Sequence, residues 1–341
     1  MADQTLPPHW VLRILGTSGE VTPLPQWSNL IVTENITGTS KVTFSMPGDS
    51  IEATKIVELQ TDVVAYRNRV RKARRRIVTA DDDLDDTYKL AVTAVDYRQL
   101  LRSRQLHNNI TFTGMSQGVI VSTLIAWTQS YDSGDLGILM ASNGDGGITR
   151  DRTYETGDLI GERIDQLSEV INGFDWHIDN NLGLWIWNPR REQLTTKVLA
   201  YRANVARLRR RSTASEFRNV VTFYGDPDHT VPVTVDALPD PRGRWEWEGS
   251  SNSVKLQETV QEHAEGELER RSNPRSWFEA TIAPGKWDEL LLELGDIVTL
   301  QVMRGRLNFG GPCRVEQIQY KVDVDGGEVV TLGLRAEPGA G

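Results

Sequence analysis

Alternation is what most constrains this chain. Over residues 39–46, Val42, Phe44 and Met46 fall on one side of an extended backbone and Lys41, Thr43 and Ser45 on the other. That period of two half-buries a strand. Further strands are expected at 10–16, 27–36, 56–64 and 88–95, where Leu90, Val92 and Ala94 oppose Ala91, Thr93 and Val95. Pro47-Gly48-Asp49 and the acidic stretch Asp81 to Asp86 read as turns. The arginine-rich stretch 68–79 leads into Ile77 and Val78. Short strands with tight turns predict a small antiparallel barrel or sandwich for the first hundred residues.

The pattern then changes. Residues 96–104 read as a short helix or turn, and 117–128 place Val121, Leu124, Ile125 and Trp127 at helical spacing. A polar, glycine-rich loop is expected over 132–157. Ile160, Ile164, Leu167 and Ile171 form a stripe that predicts a helix over 158–171, stopped by Asn172-Gly173. A hairpin follows over 174–187. Strand character resumes at 198–208 and 217–224. A loop marked by Pro232, Pro239 and Pro241 carries Trp245 and Trp247. Leu256, Val260, Ala264 and Leu268 predict a long charged helix over 254–271, stopped by Asn273-Pro274. The last segment is β, at 277–283, 297–302, 313–320 and 329–334, with a hairpin turn at Asp325-Gly326-Gly327. The fold class is therefore α+β, mainly β: a barrel or sandwich at the start, an α+β insert within it, and a long helix before a second β-unit. The expected division is 1–106 and 198–235 for the two parts of the first barrel, with 107–197 as the insert. Residues 236–275 form a linker and the long helix, and 276–341 the second β-unit.

Charge and composition exclude several classes. Lys and Arg number 38 against 47 Asp and Glu, a net −9, which argues against a general nucleic-acid binder. No run approaches the ~18 apolar residues of a membrane span, and the polar, proline-bearing start lacks a signal-peptide core. The single cysteine, Cys313, forms no internal disulfide and reads as a small strand residue. Arginine (30) far outnumbers lysine (8), a signature of a GC-rich genome, and tryptophan (10) outnumbers phenylalanine (7).

Each chemical motif has a plainer reading beside it. Gly114-Met115-Ser116-Gln117-Gly118 matches the G-x-S-x-G of a nucleophile elbow between a short strand and a helix. His177, His229 and His263 follow as triad candidates. The antiparallel surroundings favour Ser116 as a helix cap instead. Asp132, Asp135, Asp145 and Asp151 lack EF-hand spacing and read as a solvated loop around Asn143 to Gly147. His9, His107, His177, His229 and His263 lack zinc-ligand spacing. No catalytic, cofactor-binding or metal-binding residue is therefore assigned. The basic clusters Arg67 to Arg76 and Arg207 to Arg211 read as solvated faces or as partners for an acidic neighbouring subunit. Trp185 and Trp187 share a strand face. With Trp176, Trp245 and Trp247 they serve core packing, a subunit interface or stacking on sugar rings.

The order of parts resembles the baseplate-hub, or tail-tip hub, proteins of tailed bacteriophages, also called minor tail proteins. Phe44-Ser45-Met46-Pro47 resembles the early strand and turn of their first barrel. Val95-Asp96-Tyr97 with Leu100-Leu101 resembles the turn into the insert. Gly173-Phe174-Asp175-Trp176-His177-Ile178-Asp179 followed by Leu184-Trp185-Ile186-Trp187 resembles the insert's closing hairpin. Glu216-Phe217-Arg218-Asn219-Val220-Val221-Thr222-Phe223-Tyr224-Gly225 resembles a strand back in the first barrel. Leu294-Gly295-Asp296-Ile297-Val298 resembles the turn opening a strand of the second.

The resemblance implies two antiparallel β-barrel, tube-like domains, the second at 276–341, in a structural virion component and not an enzyme: a homotrimer whose six barrels continue the tail tube at the distal end of the tail, made in the bacterial host cytoplasm. Its implied partners are a distal tail protein or tail tube protein, the tape-measure protein, and other tail-tip or receptor-binding proteins. No cofactor, sequence-specific nucleic-acid contact or stable membrane insertion is implied. Tape-measure protein and then DNA would pass through a lumen that acidic subunits suit, and Asp81 to Asp86 is a candidate lumen segment or an ordinary solvated turn. The sequence ends soon after its last strand, so the peptidase, lysozyme or fibre extension of many family members is not expected. The missing spike-docking extension favours a flexible tail over a contractile one. The alternatives are a serine hydrolase using Ser116 and a carbohydrate-binding tail component.

Overall fold

The computed structural model describes residues 8–141, 148–170, 172–211, 216–251, 254–272 and 276–337. Asp145 of the loop considered for calcium, Ile171 of the helical stripe and the Asn273-Pro274 stop lie outside the described residues.

Seven strands come first: β1 (Trp10–Leu15), β2 (Val21–Leu24), β3 (Ser28–Asn35), β4 (Lys41–Pro47), β5 (Asp62–Arg67), β6 (Val70–Leu84) and β7 (Tyr88–Val95). They lie side by side in the order β3-β4-β7-β6-β5-β1-β2. β4 alternates exposed and buried as its sequence dictates, with Val42, Phe44 and Met46 inside. Two boundaries differ from expectation. Residues 53–55 form a 3-10 turn, so the strand expected at 56–64 begins only at Asp62. The acidic stretch is largely strand, because β6 runs on to Leu84. There Asp83 pairs across the ladder with Lys89, and the Tyr88 hydroxyl donates to Asp82 at 2.6 Å. These cross-strand partners offset the repulsion that made the run read as a turn.

The insert follows: α1 (Tyr97–Leu101), β8 (Ile110–Ser116), α2 (Gln117–Gln129), β9 (Leu139–Met140), β10 (Thr149–Tyr154), α3 (Ile160–Glu169), β11 (Asp175–Ile178) and β12 (Gly183–Trp187). The expected loop over 132–157 thus holds two strands. β10 was hidden by its polarity, since Thr149-Arg150-Asp151-Arg152-Thr153-Tyr154 offers little apolar alternation, yet it pairs along β8. α3 ends where a Cβ on Gly173 would sit 1.9 Å from the Ser168 carbonyl oxygen, so only glycine fits that turn. Ile120, Leu124, Ile160, Ile164, Leu167 and Trp176 fill the insert's own core.

Next come β13 (Gln193–Ala200) and β14 (Val205–Arg211), then β15 (Val220–Tyr224), β16 (Val233–Asp236), β17 (Glu246–Ser250) and α4 (Gln257–Ser272). The chain closes with β18 (Trp277–Ile282), α5 (Trp287–Leu290), β19 (Asp296–Arg304), β20 (Leu307–Val322) and β21 (Glu328–Ala336). Sheet membership in the middle of the chain departs from expectation. Residues 198–235 were assigned to the first barrel, but β13 pairs with β19 and β14 with β18, both among the C-terminal strands. β15 lies in a separate three-stranded sheet with β16 and β17. Val221, Val254, Val260 and Ala264 close its small core under α4. Local patterning identifies a strand but not its partner, and partner choice here rests on pairings far apart in the chain.

Both main β sets follow one plan. In the first, the outermost strands β2 and β3 are consecutive, joined across residues 25–27. In the second, β13-β19-β20-β21-β18-β14, the outermost strands are joined across 201–204. In that turn the Asn204 side chain accepts from the Ala200 N–H at 2.8 Å and donates to the Val198 carbonyl at 2.8 Å. β20 links the sets. One of its edges pairs with β19 over 307–314 and with β3 over 317–322. A bulge at Glu316 opposite β21 marks the handover. The result is one 13-stranded sheet over a continuous core that includes Leu12, Val32, Phe44, Phe278, Val315 and Leu332.

Candidate assembly surfaces

The first basic cluster turns inward. Asp62, 1% exposed, accepts from Arg74 Nε at 2.8 Å, Arg76 Nε at 2.6 Å and the Tyr97 hydroxyl at 2.8 Å. Arg67, also buried, forks between Glu328 on β21 and Asp288 on α5, and Trp10 Nε1 donates to Glu328 at 2.7 Å. Arg75 reaches Glu34 at 2.5 Å. The sequence read these arginines as solvated or as contacts for another subunit; Arg67, Arg74, Arg75 and Arg76 are instead consumed within the chain. Arginine suits this work because its planar fork holds two acceptors at once.

The same chemistry fastens the insert. Asp165 on α3 takes Arg98 from α1 and Arg102 from its C-cap, and accepts from Trp176 Nε1 at 3.2 Å, and the Arg98 guanidinium lies 4.5 Å from the Trp176 ring centroid. Arg314 of β20 pairs with Asp175 of β11, and Arg150 of β10 with Glu262 of α4. Asn180, in the β11–β12 turn, plugs a gap in the main sheet. β6 outruns β7 below Arg76, and a bulge at Lys72 disturbs its pairing with β5. There the Asn180 side chain accepts from the Arg74 N–H at 3.0 Å and from Arg75 Nη1 at 2.9 Å, and donates to the Lys72 carbonyl at 2.8 Å. In the sequence Asn180 signalled only a turn; its second role needs the bulge opposite, which no local pattern shows.

Ser116 is a helix cap. Its side chain accepts from the Val119 N–H at 3.4 Å at the start of α2. The triad candidates sit in other roles. His177 lies on β11, where burial and then the positive charges of Arg75, Arg191 and Arg98 hold its pKa down to about 3. His229 pairs with Asp226 at 3.2 Å, and His263 on α4 stacks on Phe223 with centroids 4.8 Å apart. Asp135 caps the Gly137 N–H at 2.7 Å and Asp151 the Gly114 N–H at 2.5 Å. Among the described residues no three His, Cys, Asp or Glu side chains gather as a metal site. Burial pushes the Cys313 thiol up to about 12, so it is a packed, unreactive strand residue. Among the described residues, no helix is long and apolar enough to cross a membrane.

Three features face outward. The distal β6–β7 hairpin is exposed from Asp81 to Lys89. β14 is a sheet edge on which Arg207, Arg209, Arg210 and Arg211 are exposed, with Arg211 3.4 Å from Glu279. Trp185 and Trp187 stack 6.1 Å apart beside Arg191, with Trp185 38% exposed and donating to Asp179 at 2.9 Å. Trp176 belongs to the core, and Trp245 is half exposed.

Chains with this arrangement are known. The 43 kDa tail protein of prophage MuSo2 from Shewanella oneidensis superposes with a TM-score of 0.70 at 14% identity, covering 95% of this chain and 98% of that one. The tail protein from Neisseria meningitidis MC58 gives 0.71 at 11% identity, covering 97% of each. Prophage tail protein gp18 from Listeria monocytogenes EGD-e gives 0.60 at 11% identity, covering 95% and 94%. No family model matches the sequence, and no curated protein does. The fold is that of phage tail proteins, carried with little shared sequence.

Proposed function

We propose that this protein is a structural component of a phage tail, and within the tail a trimeric tip hub. The observation that carries the reading is the end-to-end match of fold to prophage tail proteins, which covers nearly all of both chains. Its two β sets, each with consecutive outermost strands, suit two tube barrels per subunit. Three subunits would supply six barrels around a lumen, through which tape-measure protein and DNA pass. The expected neighbours are a tail tube or distal tail protein and other tip proteins. The hub's work is done by surfaces rather than by a reaction centre, in keeping with Ser116 as a cap.

Sedimentation of the purified chain at tens of micromolar is expected to give about 115 kDa, three times 38.3 kDa. Gold-labelled antibody is expected at the distal tip of the particle. A monomer in solution together with particles that carry no tip label would overturn the hub assignment. The stacked, partly exposed Trp185 and Trp187 support a second reading, glycan binding at the tip. Saturable quenching of tryptophan fluorescence by host-wall oligosaccharide, lost in Trp185→Ala, would establish it.

A further inference from the structure

Five strands of each β set repeat one another. β3-β4-β7-β6-β5 in the first and β14-β18-β21-β20-β19 in the second are neighbours in the same order, arise in the same order along the chain and pair antiparallel throughout. The long strands match in detail. β6 carries a bulge opposite β7 between Ile77 and Thr79, and β20 carries one opposite β21 between Val315 and Gln317. Beyond its bulge each ladder runs on to a last pair, Leu84 with Tyr88 and Val322 with Glu328. Residues 79–84 therefore correspond to 317–322.

The repeat is broken at one edge. Residues 317–322 of β20 pair with β3, but the corresponding edge of β6 is open. β5 begins at Asp62, opposite Arg76, and the segment before it reaches only Ile77, through Leu59 and Thr61. Past Ile77 no described residue hydrogen-bonds that edge. β14, the counterpart of β3, is in turn open on the side away from β18. Val32 lies in line with Val42, Ala94 and Ile77 on successive strands. Arg210 lies in line with Phe278, Leu334 and Val315, so Arg210 takes the place of Val32. Val32 pairs with Tyr320, whose counterpart on β6 is Asp82. Carried across the repeat, the antiparallel β3–β20 register sets Asp81 opposite Arg211, Asp82 opposite Arg210 and Asp83 opposite Arg209. Backbone pairing alone fixes this register, yet it brings three aspartates onto three arginines. All six are exposed, and the one ion pair any of them makes among the described residues is Arg211 with Glu279 at 3.4 Å.

We propose that β14 of one copy of this chain adds as an antiparallel strand to the open edge of β6 in the next copy, with Arg209, Arg210 and Arg211 against Asp83, Asp82 and Asp81. Within one chain the two strands stand apart, with β18, β21, β20, β3, β4 and β7 between them in the sheet order, so the partner is a second copy. Main-chain bonds supply the attachment and the opposite charges supply the register. Each copy offers one edge of each kind, so the contact is head to tail and closes as a ring. The inference rests on the trimer proposed above and names the contact that would build it.

Cysteine cross-linking of the full chain tests the register, because the native Cys313 is buried. Two variants are made, Asp82→Cys/Arg210→Cys and Asp83→Cys/Arg209→Cys. Of two successive antiparallel pairs one is always the closer, non-hydrogen-bonded kind, so mild oxidation should join at least one variant into a covalent species of three chains. The out-of-register variant Asp81→Cys/Arg207→Cys should stay as single chains. Charge is tested by sedimentation. Asp81→Lys/Asp83→Lys should fall from the trimer to the 38.3 kDa single chain, and adding Arg209→Glu/Arg211→Glu should restore the trimer. A parent that sediments as a trimer while neither in-register variant cross-links overturns this contact and leaves the trimer standing. So does a trimer indifferent to the charge reversal, or an out-of-register variant that cross-links equally well. A ladder running past three chains supports the contact and overturns the threefold ring. A parent that stays monomeric at tens of micromolar overturns the contact, and tip labelling of particles then decides the hub assignment by itself. Should a cysteine variant fail to fold, the charge series decides alone.

Discussion

Arg67 shows how much one side chain holds. It ties β5 to β21 through Glu328, whose side chain is 6% exposed, and to α5 through Asp288. Replacing it by Met leaves Glu328 buried beside Trp10 without its counter-charge. Breaking a buried pair by removing one partner costs about 3–5 kcal/mol, and urea unfolding of Arg67→Met should show a loss of that order. Adding Glu328→Gln should recover most of it, because the uncompensated charge is then gone. Two histidines set an acid limit. An unfolded histidine titrates near ~6.5, whereas His177 and His263 are held down to about 3 and about 4 in the fold. Below about 6.5 the unfolded chain therefore takes up protons that the folded chain refuses. Stability should fall as pH drops from 7 to 5. The urea midpoint of a His177→Gln/His263→Gln variant should fall much less over that range; an equal fall would show that neither ring is sequestered.

At the scale of elements, the β11–β12 hairpin is held to the main sheet by Asn180, whose side chain serves two backbone groups at the Lys72 bulge and the Arg75 guanidinium. Asn180→Ala should cost about 1–3 kcal/mol. Hydrogen exchange should quicken in β11, β12 and residues 71–75 of β6 while β18–β21 keep their protection. Strands and helices with strong periodicity are legible in the sequence itself: β4 from Val42, Phe44 and Met46, and α3 from Ile160, Ile164 and Leu167. β10 is not, because charged residues on both its faces leave no alternation to read. Nor is the fate of the arginines at 67–76. A sequence shows a run of charge, but whether it meets water or Asp62, Glu34 and Glu328 depends on strands placed far away in the chain.

For the whole molecule, one core spans both β sets and β20 pairs with strands from each. The two sets should therefore unfold together. The β15–β17 unit has a core of only a few residues and should open first. Native-state hydrogen exchange is expected to give β3, β4, β20 and β21 a shared, highest opening free energy, with β15 and α4 well below it. Two separate transitions for the N- and C-terminal strand sets would contradict this.

The β3–β20 pairing also sets a timetable for synthesis. Gln317 bonds to Asn35, 282 residues earlier in the chain. At about 5–20 residues per second, a ribosome takes roughly 15–55 s to supply β3 with its partner. Through that interval the nascent chain carries a finished strand with one unoccupied edge, and neighbouring ribosomes on the same message carry identical ones. Its correct completion is thus a race between translation and mispairing. Slower elongation between residues 35 and 317 should lower the yield of soluble protein even though no residue has changed.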